Sequence, residues 1–148
     1  MASTDKPVII IGASISGLTL AQGLRKAGIP YQIFERDSSV SARSAGWGLT
    51  IHWALSAFLE LLPNEIGGRL PETYVNPDAV ERGETGSFTF FDLSNGEAKW
   101  KVPAAVRIRV SRDRLRRLLT TDVDVHVCSL GWRTFMALIS CSLSSAVV

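Results

Sequence analysis

The sequence predicts an α/β fold, a β-α-β unit followed by a β-hairpin and a strand-to-helix element. Three observations predict it. The apolar run Val8-Ile9-Ile10-Ile11 opens onto the glycine turn Gly12-Ala13-Ser14-Ile15-Ser16-Gly17. An amphipathic stretch and a second apolar run, Tyr31-Gln32-Ile33-Phe34, then close on the acid Glu35. Further on, the pair Asn95-Gly96 separates two alternating segments between Gly86 and Val102.

The first run holds four β-branched residues between Pro7 and Gly12. It is too short for a helix and suits a parallel strand buried on both faces. Gly12 allows the tight turn that leaves the strand, and Gly17 allows the following helix to pack closely on the sheet. The middle glycine of the dinucleotide-binding fingerprint of Rossmann-like β-α-β units is replaced by Ser14, giving Gly-x-Ser-x-x-Gly. A serine adds a small Cβ and a hydroxyl able to donate to a phosphate oxygen. Most of the anion binding is expected from free amides at the helix N-terminus and from the helix dipole.

The helix is expected from about Ser16 to Ala27. Leu20, Ala21, Leu24 and Ala27 form its apolar stripe, with Gln22, Arg25 and Lys26 toward water. Gly28 and Pro30 end it. Glu35 falls 18 residues after Gly17, close to the spacing of a carboxylate that binds ribose hydroxyls, and an acid there favours a ribose without a 2′-phosphate. The alternative is an ordinary β-α-β unit with an exposed glutamate at the strand end.

Beyond Glu35, a helical segment His52–Leu62 carries the stripe Leu55, Phe58, Leu59 and Leu62. Residues 63–85, with three prolines and several glycines, read as a loop-rich connector. Phe88, Phe90 and Leu93 before the Asn-Gly turn, and Lys99-Trp100-Lys101-Val102 after it, read as a hairpin. Val106, Ile108 and Val110 alternate with Arg107 and Arg109 as a half-buried strand. Ser111 then caps a helix whose Leu115, Leu118 and Leu119 face the core, leaving Arg114, Arg116 and Arg117 outward.

Six arginines between 107 and 117 invite a nucleic-acid reading. The formal charge of only +2 and the absence of interleaved aromatics argue instead for a solvated basic face. His52 and His126 are isolated and read as structural or surface residues. Cys128 and Cys141, 13 residues apart, make neither a metal site nor a disulfide framework. No Ser/His/Asp constellation can be assembled, so no residue is assigned a catalytic role.

The nucleotide fingerprint alone does not separate FAD from NAD; the following residues do. Glu35-Arg36-Asp37, then Ala42-Arg43-Ser44-Ala45-Gly46-Trp47-Gly48-Leu49-Thr50-Ile51-His52-Trp53, and later Arg109-Val110-Ser111-Arg112-Asp113-Arg114-Leu115, resemble blocks of the FAD-dependent aromatic-hydroxylase-type (group A) flavoprotein monooxygenases, fungal members above all. The resemblance covers most of residues 7–120 and implies a set of cofactor-binding residues. Gly12, Ser14 and Gly17 would cradle the pyrophosphate and Glu35 would hold the adenosine ribose. Arg36, Arg43, Gly48 and Arg112 would line the rest of FAD. It also implies NAD(P)H as co-substrate, O₂ as oxygen source, and hydroxylation of a small organic substrate of aromatic or polyketide-like type. The alternatives are a non-catalytic nucleotide-binding fragment and an NAD-linked oxidoreductase; Arg43 and the Arg112 block argue against the latter.

Length sets the organisation. At 148 residues and 46% hydrophobic, the chain suffices for one domain, yet the resembled fold is more than twice as long. Its later Asp-Gly and Gly-Asp motifs have no counterpart here. The expectation is an incomplete monooxygenase FAD domain over 1–127, unable to retain flavin by itself, followed by an apolar tail over 128–148 outside the resemblance. From Val125 to Val148 the only charged side chain is Arg133, and the last 15 residues carry none. That stretch falls short of the ~20 apolar residues of a membrane span. A foreign tail from a splice or frame error is preferred over a tail anchor or a buried helix. Residues 1–6 show no secretory signal, and few cysteines suit a reducing, cytoplasmic setting.

Overall fold

The computed structural model describes residues 6–38, 47–83 and 86–127. Its first layer is the expected Rossmann-like unit. Strand β1 (Val8–Ile11) runs parallel to β2 (Tyr31–Glu35), in a register that pairs Val8 with Tyr31 and Ile11 with Phe34. A third parallel strand, β7 (Val125–Val127), lies on the other side of β2 and pairs Glu35 with Val127. The order β1-β2-β7 puts β2 at the centre. Ile33 and Ile10 are buried, but β1 lies at the edge of the described sheet. There Val8 and Ile11 stay 39% and 48% exposed, so β1 is not covered on both faces as its composition suggested.

Helix α1 (Ile15–Lys26) crosses between β1 and β2 and ends at Ala27, with Gly28 in the left-handed region. Its buried side differs from the expected stripe. Leu18, Ala21 and Gln22 are buried, Leu24 packs against the core, and Leu20 is 46% exposed. The cause is a second helix, α5 (Arg112–Leu119), packed against α1. The carbonyls of Leu119, its last residue, and of Thr121, just beyond it, need donors, and Gln22 supplies them. Sheet contact alone would have turned Gln22 to solvent.

Between these elements, β3 (Gly48–Ile51) pairs antiparallel with β6 (Ile108–Ser111), the strand that leads into α5. Helix α2 (Leu55–Leu61) buries Phe58, while Leu59 of its expected stripe stays exposed. The region expected as loop is partly helical. It forms α3 (Asn64–Gly67), a 3₁₀ turn (Leu70–Thr73) and α4 (Pro77–Glu81). Pro63 and Pro77 stand just before or at the start of these helices, where a missing N–H costs nothing, so the prolines start helices here rather than prevent them. Ile66 and Leu70 drop into the same core as Leu18, Leu62 and Leu115.

The hairpin is present as β4 (Gly86–Phe91) and β5 (Ala98–Ala105), antiparallel, with Phe90 stacked on Trp100 at 5.1 Å. Its turn is longer than a two-residue Asn-Gly loop. The Asp92 amide donates to Glu97 O, the Gly96 amide donates to Asp92 O, and the Asp92 carboxylate accepts from the Ser94 amide and hydroxyl. The expected tail over 128–148, and Arg43 and Gly46, lie outside the described residues.

Candidate functional site

The carboxyl ends of β1 and β2 meet the N-terminus of α1, and the site is built there. Gly12 takes φ +99, a conformation that side-chain-bearing residues rarely adopt, and open space adjoins it. Its amide donates to Phe34 O at 2.7 Å, which welds the turn to the neighbouring strand. At Gly17 the constraint is contact: a Cβ built there would overlap the carbonyl oxygen of Gly12, a backbone atom that cannot step aside. The helix can begin this close to the turn only because position 17 has no side chain.

Ser14 is the N-cap of α1. Its Oγ accepts from the Gly17 amide at 3.4 Å, a long bond, while Ser14 O accepts the first helical bond, from Leu18. The hydroxyl proton is not used by that cap. The amides of Ile15 and Ser16, in the first turn, have no acceptor within the helix. Dipole and amides together make the turn an anion cradle.

Glu35 ends β2 beside this turn and is 7% exposed. Its Oε2 accepts from the Ala13 amide at 2.8 Å and from Arg116 Nη2 at 3.3 Å, while its Oε1 accepts from the Asp37 amide at 3.0 Å. Arg116 also reaches the turn itself, its Nε donating to Ala13 O at 2.8 Å. The two charged side chains are 12% and 8% exposed. Arg116 therefore points inward, against its outward assignment from helix periodicity. It stands next to Leu115 and four residues after Arg112, at the border of the buried stripe, where a long arginine stem can lie along apolar surface. The signal that could have found it is Glu35 itself, since a carboxylate buried at a strand end needs a cation within reach.

A cavity of about 220 Å³ opens at this place, lined by Ala13, Glu35, Asp37, Arg116, Thr120 and Val125, among others. It is smaller than the ~300 to 1,000 Å³ of a pocket for a whole drug-sized ligand, so it fits one part of a dinucleotide rather than all of it. A larger recess of about 330 Å³ by Arg25, Lys26 and Asn64 lies where an Arg25–Glu65 ion pair of 2.8 Å and lysine bonds to Glu60 O and Leu62 O tie α1 to the α2–α3 region. Its charged groups, Arg25, Lys26 and Glu65, are already engaged in holding helices together, and the chemistry points to the smaller cavity.

The remaining expected residues lie farther along. Arg36 is exposed, with Nε 3.5 Å from Asp37 Oδ1. Gly48 opens β3, and the space a Cβ would take there is filled by Arg109, whose Nε would be 3.1 Å away. Gly48 thus makes room for a guanidinium on the paired strand. Arg112 is the first residue of α5, exposed, and its helix is capped by the Ser111 hydroxyl accepting from the Arg114 amide at 3.4 Å. Among the described residues, no group of three or more His, Cys, Asp and Glu could hold a metal ion, and no helix is long and apolar enough to cross a membrane.

The pieces fit a dinucleotide: a glycine cradle with open space, helix amides beside it, and a carboxylate at the adjoining strand end. Comparison with known proteins agrees. Residues 10–59 match the family model described as an NAD(P)-binding Rossmann-like domain. A protein of Arthroderma benhamiae named "Probable FAD-dependent monooxygenase" is 60% identical over 128 residues, covering 85% of this chain and 30% of that protein. An FAD-dependent monooxygenase of Emericella nidulans is 46% identical, over 84% of this chain and 31% of its own. The chain thus spans about a third of the length of these relatives. Among solved structures, a candidate FAD-containing monooxygenase of Photorhabdus luminescens superposes with a TM-score of 0.52 at 29% identity, covering 81% of this chain and 30% of that one. The Klebsiella pneumoniae protein HpxO, solved with FAD and uric acid, superposes with a TM-score of 0.51 at 21% identity over 82% of this chain and 30% of its own, a likeness of fold alone.

Proposed function

We propose, for a chain homologous to part of the fungal FAD-dependent monooxygenases, that residues 6–127 hold the ADP half of FAD. The observation that carries this reading is the contact between Gly17 and the Gly12 carbonyl, which sets the first amides of α1 at the same strand ends as the Glu35 carboxylate. Gly12, Ser14 and Gly17 receive the pyrophosphate and Glu35 receives the adenosine ribose. Arg36, Arg43 and Arg112 serve the remainder of the cofactor with cations that balance phosphate charge, and Gly48 serves it with backbone alone.

Bound FAD would supply the redox chemistry, taking reducing equivalents from NAD(P)H and using O₂ to hydroxylate a small organic, aromatic-type substrate in the cytoplasm. The work of these residues is binding and orientation. The turn fixes the phosphates at the dipole's positive end, the carboxylate fixes the ribose, and the strands behind them keep both rigid. No side chain among them is assigned a proton transfer.

Titration of the chain with FAD, ADP and FMN, followed by amide chemical shifts, tests the proposal. ADP and FAD are expected to bind weakly, to compete, and to move the amides of residues 12–17, while FMN, which lacks the adenosine, leaves them in place. The chain is expected to leave purification colourless, because the ADP half alone gives too little contact to retain flavin. Equal binding of FMN, or no competition by ADP, would overturn the assignment.

A further inference from the structure

The geometry points to Arg116 as a positioning residue that locks Glu35 and the Ala13 peptide together, leaving the carboxylate one acceptor site, for a single ribose hydroxyl. This rests on the ADP-site reading above. Ala13 is held at both ends of its backbone: its amide donates to Glu35 Oε2 at 2.8 Å and its carbonyl accepts from Arg116 Nε at 2.8 Å. Arg116 Nη2 then reaches the same Oε2 at 3.3 Å, closing a ring through β2, the turn and α5. Three elements distant in sequence are fixed by one guanidinium. An arginine can do this because its planar donors address a carbonyl and a carboxylate at once, which a lysine ammonium on a flexible stem cannot match.

The count of acceptor sites gives the specificity. An ionised carboxylate offers about four lone-pair sites. Oε2 spends two, on Ala13 and Arg116, and Oε1 spends one, on the Asp37 amide. One site on Oε1 is left, so the side chain cannot take both ribose hydroxyls in a bidentate grip. With the ring intact the carboxylate cannot rotate to release a second site.

Affinities of the chain for ADP, 2′-deoxy-ADP and 3′-deoxy-ADP, with the Ala13 amide resonance as a second readout, test this. One deoxy analogue is expected to bind about tenfold more weakly than ADP, and the other within about twofold. Arg116→Gln is expected to lower ADP affinity by about tenfold, to shift the Ala13 amide, and to make the two analogues alike. Arg116→Lys keeps the charge and restores part of the affinity without restoring the Ala13 resonance; it also serves where the glutamine variant does not fold. Equal loss for both deoxy analogues in the parent chain overturns the single-hydroxyl count. An Arg116 variant with unchanged Ala13 resonance overturns the positioning role. If the parent chain binds no ADP, the ADP-site reading has failed, and the Ala13 resonance still decides the role of Arg116.

Discussion

Gln22 in α1 holds the end of α5: its Nε2 donates to Leu119 O and to Thr121 O, both at 2.8 Å. The side chain is fully buried, and its Oε1 accepts from Arg25 Nε at 3.0 Å. Both of its donors and its acceptor are thus used. The last carbonyls of a helix have no partner within it; the next amides serve three of them, and a buried amide from the glycine-turn helix serves Leu119 O and Thr121 O just beyond. The helix that presents the cradle and the helix that presents Arg116 are therefore fixed to each other at their far ends.

Gln22→Leu keeps most of the volume and removes the donors. It leaves two carbonyls unpaired at a helix–helix contact and is expected to destabilise by about 2 to 3 kcal/mol. Urea denaturation measures it, and a loss below about 0.5 kcal/mol, the scale of a neutral surface change, would mean that water replaces the amide.

Two glycines of α1 should respond oppositely to alanine. At Gly17 the new methyl overlaps backbone, so Gly17→Ala is expected to cost about 2 to 3 kcal/mol and to abolish the ADP-induced amide shifts. At Gly23 the nearest atom is Leu61 Cδ2 at 3.1 Å, the far end of a flexible side chain. Helix propensity favours alanine there by up to ~1 kcal/mol, so Gly23→Ala is expected to melt at or above the parent temperature. Equal destabilisation by both would remove the argument from close approach.

These elements also mark how far the sequence reaches. The strand, glycine turn, helix and terminal acid were legible because each residue type answers a local demand: β-branching for the strand, Gly12 for a positive φ, Gly17 for contact, Gly28 for the helix end. Gln22 and Arg116 were misread because helix periodicity reports only which face is apolar. It does not say which polar residue a neighbouring element, about a hundred positions away, requires. At Gly48 the room left by the missing side chain is taken by Arg109 of the paired strand, a neighbour that only the β3–β6 register reveals.

Acid should loosen the hairpin tip. The Asp92 carboxyl is held below its ordinary value of 3.8, first by the Ser94 hydroxyl, then by the Ser94 amide and by Lys99 Nζ at 3.2 Å. A carboxylate with a depressed folded value contributes its stability above the ordinary value, and loses it as pH falls through the lower one. Protection factors at Ser94 and Gly96, the exchange rates corrected for the intrinsic pH dependence of amide exchange, are expected to stay constant from neutral pH to about 4 and to fall below that. Asp92→Asn is expected to show the faster exchange at every pH. A parent profile that is flat at acid pH would remove the role of the charge.

Ser14 separates two roles that coincide at one atom. As N-cap its Oγ accepts from the Gly17 amide at 3.4 Å, and a bond of that length contributes little. As a donor, its hydroxyl proton is not engaged by the cap and can rotate toward the proposed pyrophosphate position, and a hydrogen bond to a charged group is worth about 1.5 kcal/mol or more. Ser14→Gly restores the usual fingerprint and costs the cap only a few tenths of a kcal/mol. Its melting temperature is therefore expected to stay close to the parent's, while ADP binds about five- to tenfold more weakly. Adenosine has no phosphate to accept that proton, so its affinity is expected to be unchanged. If Ser14→Gly weakens ADP and adenosine alike, the hydroxyl acts through the shape of the turn. If it weakens neither, Ser14 is a helix cap alone, and the amides of Ile15 and Ser16 carry the phosphate without it.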